Sequence, residues 1–162
     1  MQRKLLFVAL IVFLLSMIYV CSADDTVVSF YNEKDSVNIT LSERERFSAR
    51  FHASNSFDKL DIFFVSIPKN SKVKVSLYKW EGKLPEGQEA LETKEFSGIS
   101  KAYASFEFGA KEKGEYVLEI EVVSGTAVLR KSLYKRSQVD LYRNGYVEGG
   151  SIDVKLYYTS KP

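Results

Sequence analysis

Cysteine and histidine each occur once in the 162 residues, and these two scarcities exclude much of protein chemistry. With Cys21 alone the chain has no internal disulfide and no thiol pair. With His52 alone, a serine or cysteine triad has one candidate base, set in a strand-like run beside Arg50, where an exposed or core-edge histidine is the simpler reading. A zinc site would have to be built mostly from carboxylates, which is uncommon. No Gly-rich phosphate loop and no Asp-rich calcium loop of EF-hand type is present, so no cofactor is expected, and a structural calcium is left open. Basic runs extend no further than Arg130-Lys131 and Lys135-Arg136, which gives little long-range attraction for nucleic acid.

What is there begins with a targeting signal. Arg3 and Lys4 precede an apolar run from Leu5 to Val20 that is broken by Ser16, and Cys21-Ser22-Ala23 supplies small residues before Asp24-Asp25. Residues 1–23 therefore read as a secretory signal peptide and 24–162 as one domain. Two other readings stay open: a retained anchor, although the run is shorter than the roughly 20 residues that span a bilayer comfortably, and a lipoprotein acylated at Cys21. Cleavage after Ala23 removes Arg3 and Lys4 from 23 basic residues set against 21 acidic ones, so the two signs become equal. The expected location is secreted, extracellular or periplasmic, with no membrane contact once the signal is gone. Export without disulfides is more usual for bacterial than for small eukaryotic domains. Asn38-Ile39-Thr40 is a glycosylation sequon that would matter only in a eukaryotic pathway.

From Thr26 onward short β-type runs alternate with turn clusters, and no window has a helical period. Val73, Val75 and Leu77 alternate with Lys74, Ser76, Tyr78 and Trp80, which places the single tryptophan on the outward face of a strand. Tyr116, Leu118, Ile120 and Val122 alternate with Val117, Glu119 and Glu121; Ile152, Val154, Leu156 and Tyr158 alternate with Asp153, Lys155 and Tyr157. Leu60 to Ile67 is apolar on both faces, as in a central strand covered on both sides. Glu81 to Thr93, with Gly82, Pro85 and Gly87 among charges, reads as an exposed loop. Nine or ten such strands without helices between them predict an all-β antiparallel sandwich or jelly roll.

Aromatic residues are the most informative set. Tyr78, Tyr103, Tyr142, Tyr146 and Tyr157 fall on outward positions or loops. A flat ring stacks on the C–H face of a sugar while neighbouring polar groups bond its hydroxyl rim; tyrosine is also a good strand former that fills sheet surfaces for no other reason. Trp80 and Tyr78 are either an exposed platform or are covered by a loop from elsewhere. The expected ligand site joins Trp80 and Tyr78 with Tyr103 or Tyr142, and takes Arg130 or Asn144 as polar partners. A weaker, enzymatic reading uses Glu119 and Glu121 as the paired carboxylates of a glycosidase, against the simpler view that they belong to a solvated face.

Phe51-His52-Ala53, Phe57-Asp58-Lys59-Leu60, Leu77-Tyr78-Lys79-Trp80, Gly114-Glu115-Tyr116 and Asn144-Gly145-Tyr146 occur in an order that resembles the jelly-roll, carbohydrate-binding-module-like (galactose-binding-like) accessory domains of secreted bacterial glycoside hydrolases and surface proteins. The chain departs from that pattern at Lys101, where an acidic residue is usual, and at Leu129, where an aromatic is. With the resemblance added, the expected fold is a single-domain β-sandwich of jelly-roll type. The resemblance implies a secreted, non-catalytic protein that binds a glycan or polysaccharide. The alternative is a protein–protein interaction module using the same aromatic residues, since tyrosine and tryptophan also mark protein interfaces.

Overall fold

The computed structural model describes residues 27–136 and 138–159, so the expected signal peptide, 1–23, lies outside the described residues. Thirteen strands are formed among them: β1 (Val27–Ser29), β2 (Ser36–Ser42), β3 (Arg46–Ala53), β4 (Phe57–Ile67), β5 (Lys72–Lys79), β6 (Glu92–Phe96), β7 (Ile99–Lys111), β8 (Gly114–Ser124), β9 (Thr126–Ser132), β10 (Val139–Arg143), β11 (Tyr146–Glu148), β12 (Ser151–Ile152) and β13 (Val154–Tyr158). They make two antiparallel sheets. One runs β1-β13-β4-β9-β12, with β2 also on β9 and β7 also on β4; the other runs β11-β10-β3-β8-β5-β6. The fold is an all-β sandwich, as the alternation predicts, and among the described residues no helix is long and apolar enough to cross a membrane.

The inward set of each strand meets between the sheets. Val73, Val75 and Leu77 of β5, Leu118, Ile120 and Val122 of β8, and Val154 and Leu156 of β13 are all buried in one core. At one end of that core the rings of Phe30, Phe51, Phe57 and Tyr116 touch in sequence, with centroids 4.9 to 5.9 Å apart. Each fully buried ring is worth about 1.5–3 kcal/mol relative to exposure. Tyr116 also donates its hydroxyl to the Glu112 carbonyl at 2.6 Å, which ties the β7–β8 connection to the core.

Two turns show how local chemistry sets the register. Arg143 pairs with Tyr146 across Asn144-Gly145, and both turn residues have positive φ, 50° and 85°, the conformation for which Asn-Gly is suited in two-residue hairpins. At Gly125, φ is 75° and an added Cβ would lie 2.2 Å from Ser71 Oγ, the atom that accepts the Thr126 N–H.

The structure revises three sequence expectations. Glu92 and Thr93 are not loop: they open β6, which pairs with the edge of β5. The loop before it is not simply exposed, because Pro85 is buried. The last strand is broken at Asp153. Its N–H donates to Arg130 O and its C=O accepts from the Phe63 N–H, so it sits where the chain passes from pairing with β9 to pairing with β4.

Candidate functional site

The expected site residues divide between the two outer faces of the sandwich. Trp80, Tyr78, Tyr142 and Asn144 belong to the six-stranded sheet or its turns, and Tyr103 and Arg130 to the seven-stranded one. They do not form one patch.

On the six-stranded face the loop between β5 and β6 lies back over the sheet. The Gln88 amide donates to Lys79 O at 2.9 Å, the Leu91 N–H donates to Leu77 O at 2.8 Å, and Leu84 and Pro85 line a hollow with Ser48 and Glu119. Tyr78 is consequently 8% exposed, so the expectation of an exposed Tyr78 platform is corrected: outward alternation put it on the outer face, and the returning chain covers that face. Trp80 is half-buried beyond the end of β5, its backbone N–H donating to Glu115 O. The Arg50 guanidinium stands 4.7 Å from the centre of its ring, occupying one face of the indole. Arg50 is held in turn by Glu115 at 3.2 Å and Asp140 at 3.7 Å, and His52 by the same Glu115 at 2.8 Å. Tyr142 is half-buried, opposite Ser48. Asn144 is the hairpin turn residue whose Oδ1 accepts the Arg46 N–H at 2.9 Å.

The hollow beneath that loop has a volume of ≈ 300 Å³ and is lined by Arg44, Arg46 and Glu119 among others. Glu119 is 7% exposed. Burial pushes its carboxyl above the usual range, Arg46 opposes the rise, and Glu121 adds to it. The expectation of two solvated carboxylates on one face is corrected here too. Glu119 lies under the loop, while Glu121 is engaged by Lys74 at 2.6 Å and Arg46 at 3.7 Å and does not line the hollow.

The seven-stranded face carries the more developed site. Tyr103 of β7 pairs with Phe63 of β4, packs edge-on against its ring at 5.2 Å, and reaches past it to donate its hydroxyl to Asp153 Oδ1 at 2.9 Å. Arg130 of β9 approaches from the other side. Its Nε donates to Asp153 Oδ2 at 2.8 Å, its second nitrogen makes an ion pair with the same oxygen, and its guanidinium lies 4.0 Å from the Phe63 centroid and 5.0 Å from that of Tyr31. Asp153, 1% exposed, is thus a buried carboxylate met on one oxygen by two guanidinium nitrogens and on the other by a phenol, the arrangement that makes such burial tolerable. Burial first, and the bond to Asp153 second, push the Tyr103 hydroxyl up to about 12.

Around this floor opens a pocket of ≈ 620 Å³, whose lining includes Tyr31, Lys34, Tyr103, Arg136, Asp153 and Lys155. A second network adjoins it. Asp61 accepts from Tyr157 at 2.7 Å and from Ser105 at 2.8 Å, with Lys59 at 3.4 Å. Chemically the pocket offers aromatic edges, fixed donors and acceptors, and cations at its rim, which suits binding. Among the described residues no group of three or more His, Cys, Asp or Glu is placed to hold a metal ion.

Sequence reasoning named Tyr103 and Arg130 but missed Tyr31, Asp153, Lys155 and Arg136. The available signal was Asp153, an acid between Ile152 and Val154 in an otherwise apolar stretch. Leu129, where the resembling domains carry an aromatic, is wholly in the core. No protein-family model matches the chain, and no curated protein matches its sequence.

Proposed function

We propose that the chain is a secreted, non-catalytic carbohydrate-binding protein that holds a glycan in the pocket bounded by Tyr103, Arg130 and Asp153. The observation that carries this reading is the preformed floor of that pocket. Tyr103, Asp153 and Arg130 are fixed in one bonded set before any ligand arrives, so little ordering cost remains to be met on binding. The jelly-roll, carbohydrate-binding-module-like resemblance read from the sequence supports the same class of ligand. Trp80, with one face taken by Arg50, has no part in this reading.

The test is retention on a panel of insoluble and soluble polysaccharides, comparing the parent protein with Tyr103→Ala and Trp80→Ala. Binding weakened in the first variant and kept in the second supports the site; loss with Trp80→Ala and retention with Tyr103→Ala places the ligand on the opposite face. No binding to any polysaccharide removes the reading.

A protein-interaction role is favoured by a different observation. Tyr146 and Val147 at the β10–β11 hairpin are 80% and 84% exposed, and Leu133 and Tyr134 are also open to solvent. Large apolar side chains this exposed are common at protein contacts. A stable dimer on size-exclusion chromatography that reverts to monomer in Tyr146→Ser/Val147→Ser is the result this reading expects.

A further inference from the structure

We propose that the pocket on the seven-stranded face selects an anionic glycan, one whose sugar units carry a carboxylate or sulfate, over its neutral counterpart. This rests on the glycan reading above and narrows it.

The charge at the pocket is unbalanced. Six ionisable side chains of fixed sign line it: Lys34, Arg130, Arg136 and Lys155 against Glu33 and Asp153. Arg130 and Asp153 satisfy one another. Lys34, Arg136 and Lys155 make no ion pair with any described carboxylate, and Glu33 alone stands against the three of them. Arg136 uses one nitrogen on the Tyr31 carbonyl at 3.0 Å, which fixes its position and leaves its charge uncompensated. The Lys155 ammonium rests 4.3 Å from the Tyr103 ring centroid, at the edge of the bonded floor. Elsewhere on the surface some cations are paired, Lys74 with Glu121 and Lys111 with Glu92 among them, and others such as Arg44, Lys69, Lys83 and Lys101 line no part of this hollow. What distinguishes the pocket is that three cations outside any ion pair converge on one concavity. A concave site gathering three cations that have no ion pair among the described residues, in a chain of net charge +2, is a local positive potential, and it attracts an anion that fits the hollow. The polar floor supplies the rest: Tyr103 keeps an acceptor lone pair and Arg130 further N–H donors for ring hydroxyls.

The experiment uses pairs of polymers that share a sugar backbone, one member charged and the other neutral. Polygalacturonate is compared with its methyl ester, and dextran sulfate with dextran, by titration of the full-length protein, of Lys155→Gln and of Arg136→Gln/Lys155→Gln, at low and at physiological ionic strength. The expected result is a preference of roughly tenfold or more for the charged member of at least one pair, falling as salt is raised and reduced severalfold in the double variant. Equal binding of charged and neutral members overturns the inference and leaves the glycan reading standing. A preference for the charged member that the double variant retains in full also overturns it, because the attraction then lies outside the pocket. No binding to any of the four polymers or to the wider panel removes both. Unchanged circular dichroism in the variants separates these outcomes from misfolding.

Discussion

The Tyr103 hydroxyl reaches across the ring of Phe63 to Asp153 Oδ1, so β7 is bonded through its side chain to the junction that follows β12, with β4 between them. On the same sheet Tyr157 makes the equivalent bond to Asp61 at 2.7 Å. Burial, then the bonded aspartate, pushes each phenol from 10.0 up to about 12. A folded-state value above the unfolded one means that the stability these phenols contribute is complete below pH 10 and is lost as the pH rises toward 12. Urea midpoints should therefore fall across that interval, and fall less in Tyr103→Phe/Tyr157→Phe. An equal fall in both proteins would assign the alkaline loss to other groups.

Asp153 is the residue of this face whose loss should cost most. Asp153→Ala leaves Arg130 above Phe63 with no carboxylate, and breaking a buried pair from one side costs roughly 3–5 kcal/mol. Arg130 keeps 33% of its side chain in solvent, so water recovers part of this, and about 2–4 kcal/mol is expected from chemical denaturation. Asp153→Asn, which retains an acceptor for Tyr103, should lie below that range. A loss under about 0.5 kcal/mol in the alanine variant would show the pair to be dispensable for the fold.

The inward residues were legible because burial between sheets imposes a period of two: Val73, Val75 and Leu77, or Ile152, Val154 and Leu156, announce themselves without knowledge of their neighbours. Alternation separates inside from outside. It does not say which of two outsides a residue occupies. Trp80 and Tyr103 were joined in one site because both face outward, yet β5 and β7 lie in different sheets. Nor does alternation report what later covers an outer face. Tyr78 and Glu119 are buried where the β5–β6 loop returns, and Asp153 is buried by partners from β7 and β9, contacts that depend on distant parts of the chain.

Trp80 offers a spectroscopic test of the opposite face. With the Arg50 guanidinium over its ring, Arg50→Ala should increase quencher access and shift its emission to the red, at a stability cost of about 0.5–1 kcal/mol. Glycan binding should be unaltered. A change in binding with the Trp80 emission undisturbed would mean that Arg50 itself meets the ligand.

Glu45 ties the β2–β3 turn to the β10–β11 hairpin. It accepts the Ser42 N–H at 2.7 Å on one oxygen, and Arg143 at 2.9 Å and the Asn144 amide at 3.3 Å on the other. The Ser42 bond, aided by Arg143, holds its carboxyl below the usual value of 4.5 in spite of some desolvation. That contribution is present above the unfolded value and is lost as the pH falls through the folded one. Glu45→Gln should cost about 1–2 kcal/mol at neutral pH and less in acid.

Glu119 has the opposite sign. Burial raises its carboxyl above 4.5, so the stability linked to it is complete below that pH and is lost as the pH rises through the folded value. Once ionised, the carboxyl holds a charge under Pro85 and Leu84, with Ser48 Oγ 3.5 Å away. Glu119→Gln removes that charge and keeps the shape, at the expense of the attraction from Arg46 and Lys74. Its melting temperature should gain on the parent as the pH is raised from about 4 to neutrality. A difference that stays constant over this range would mean that Glu119 titrates as it does in the unfolded chain. The β5–β6 loop would then have to admit water to the hollow, and its cover over Tyr78 would be looser than the contacts at Lys79 and Leu77 imply.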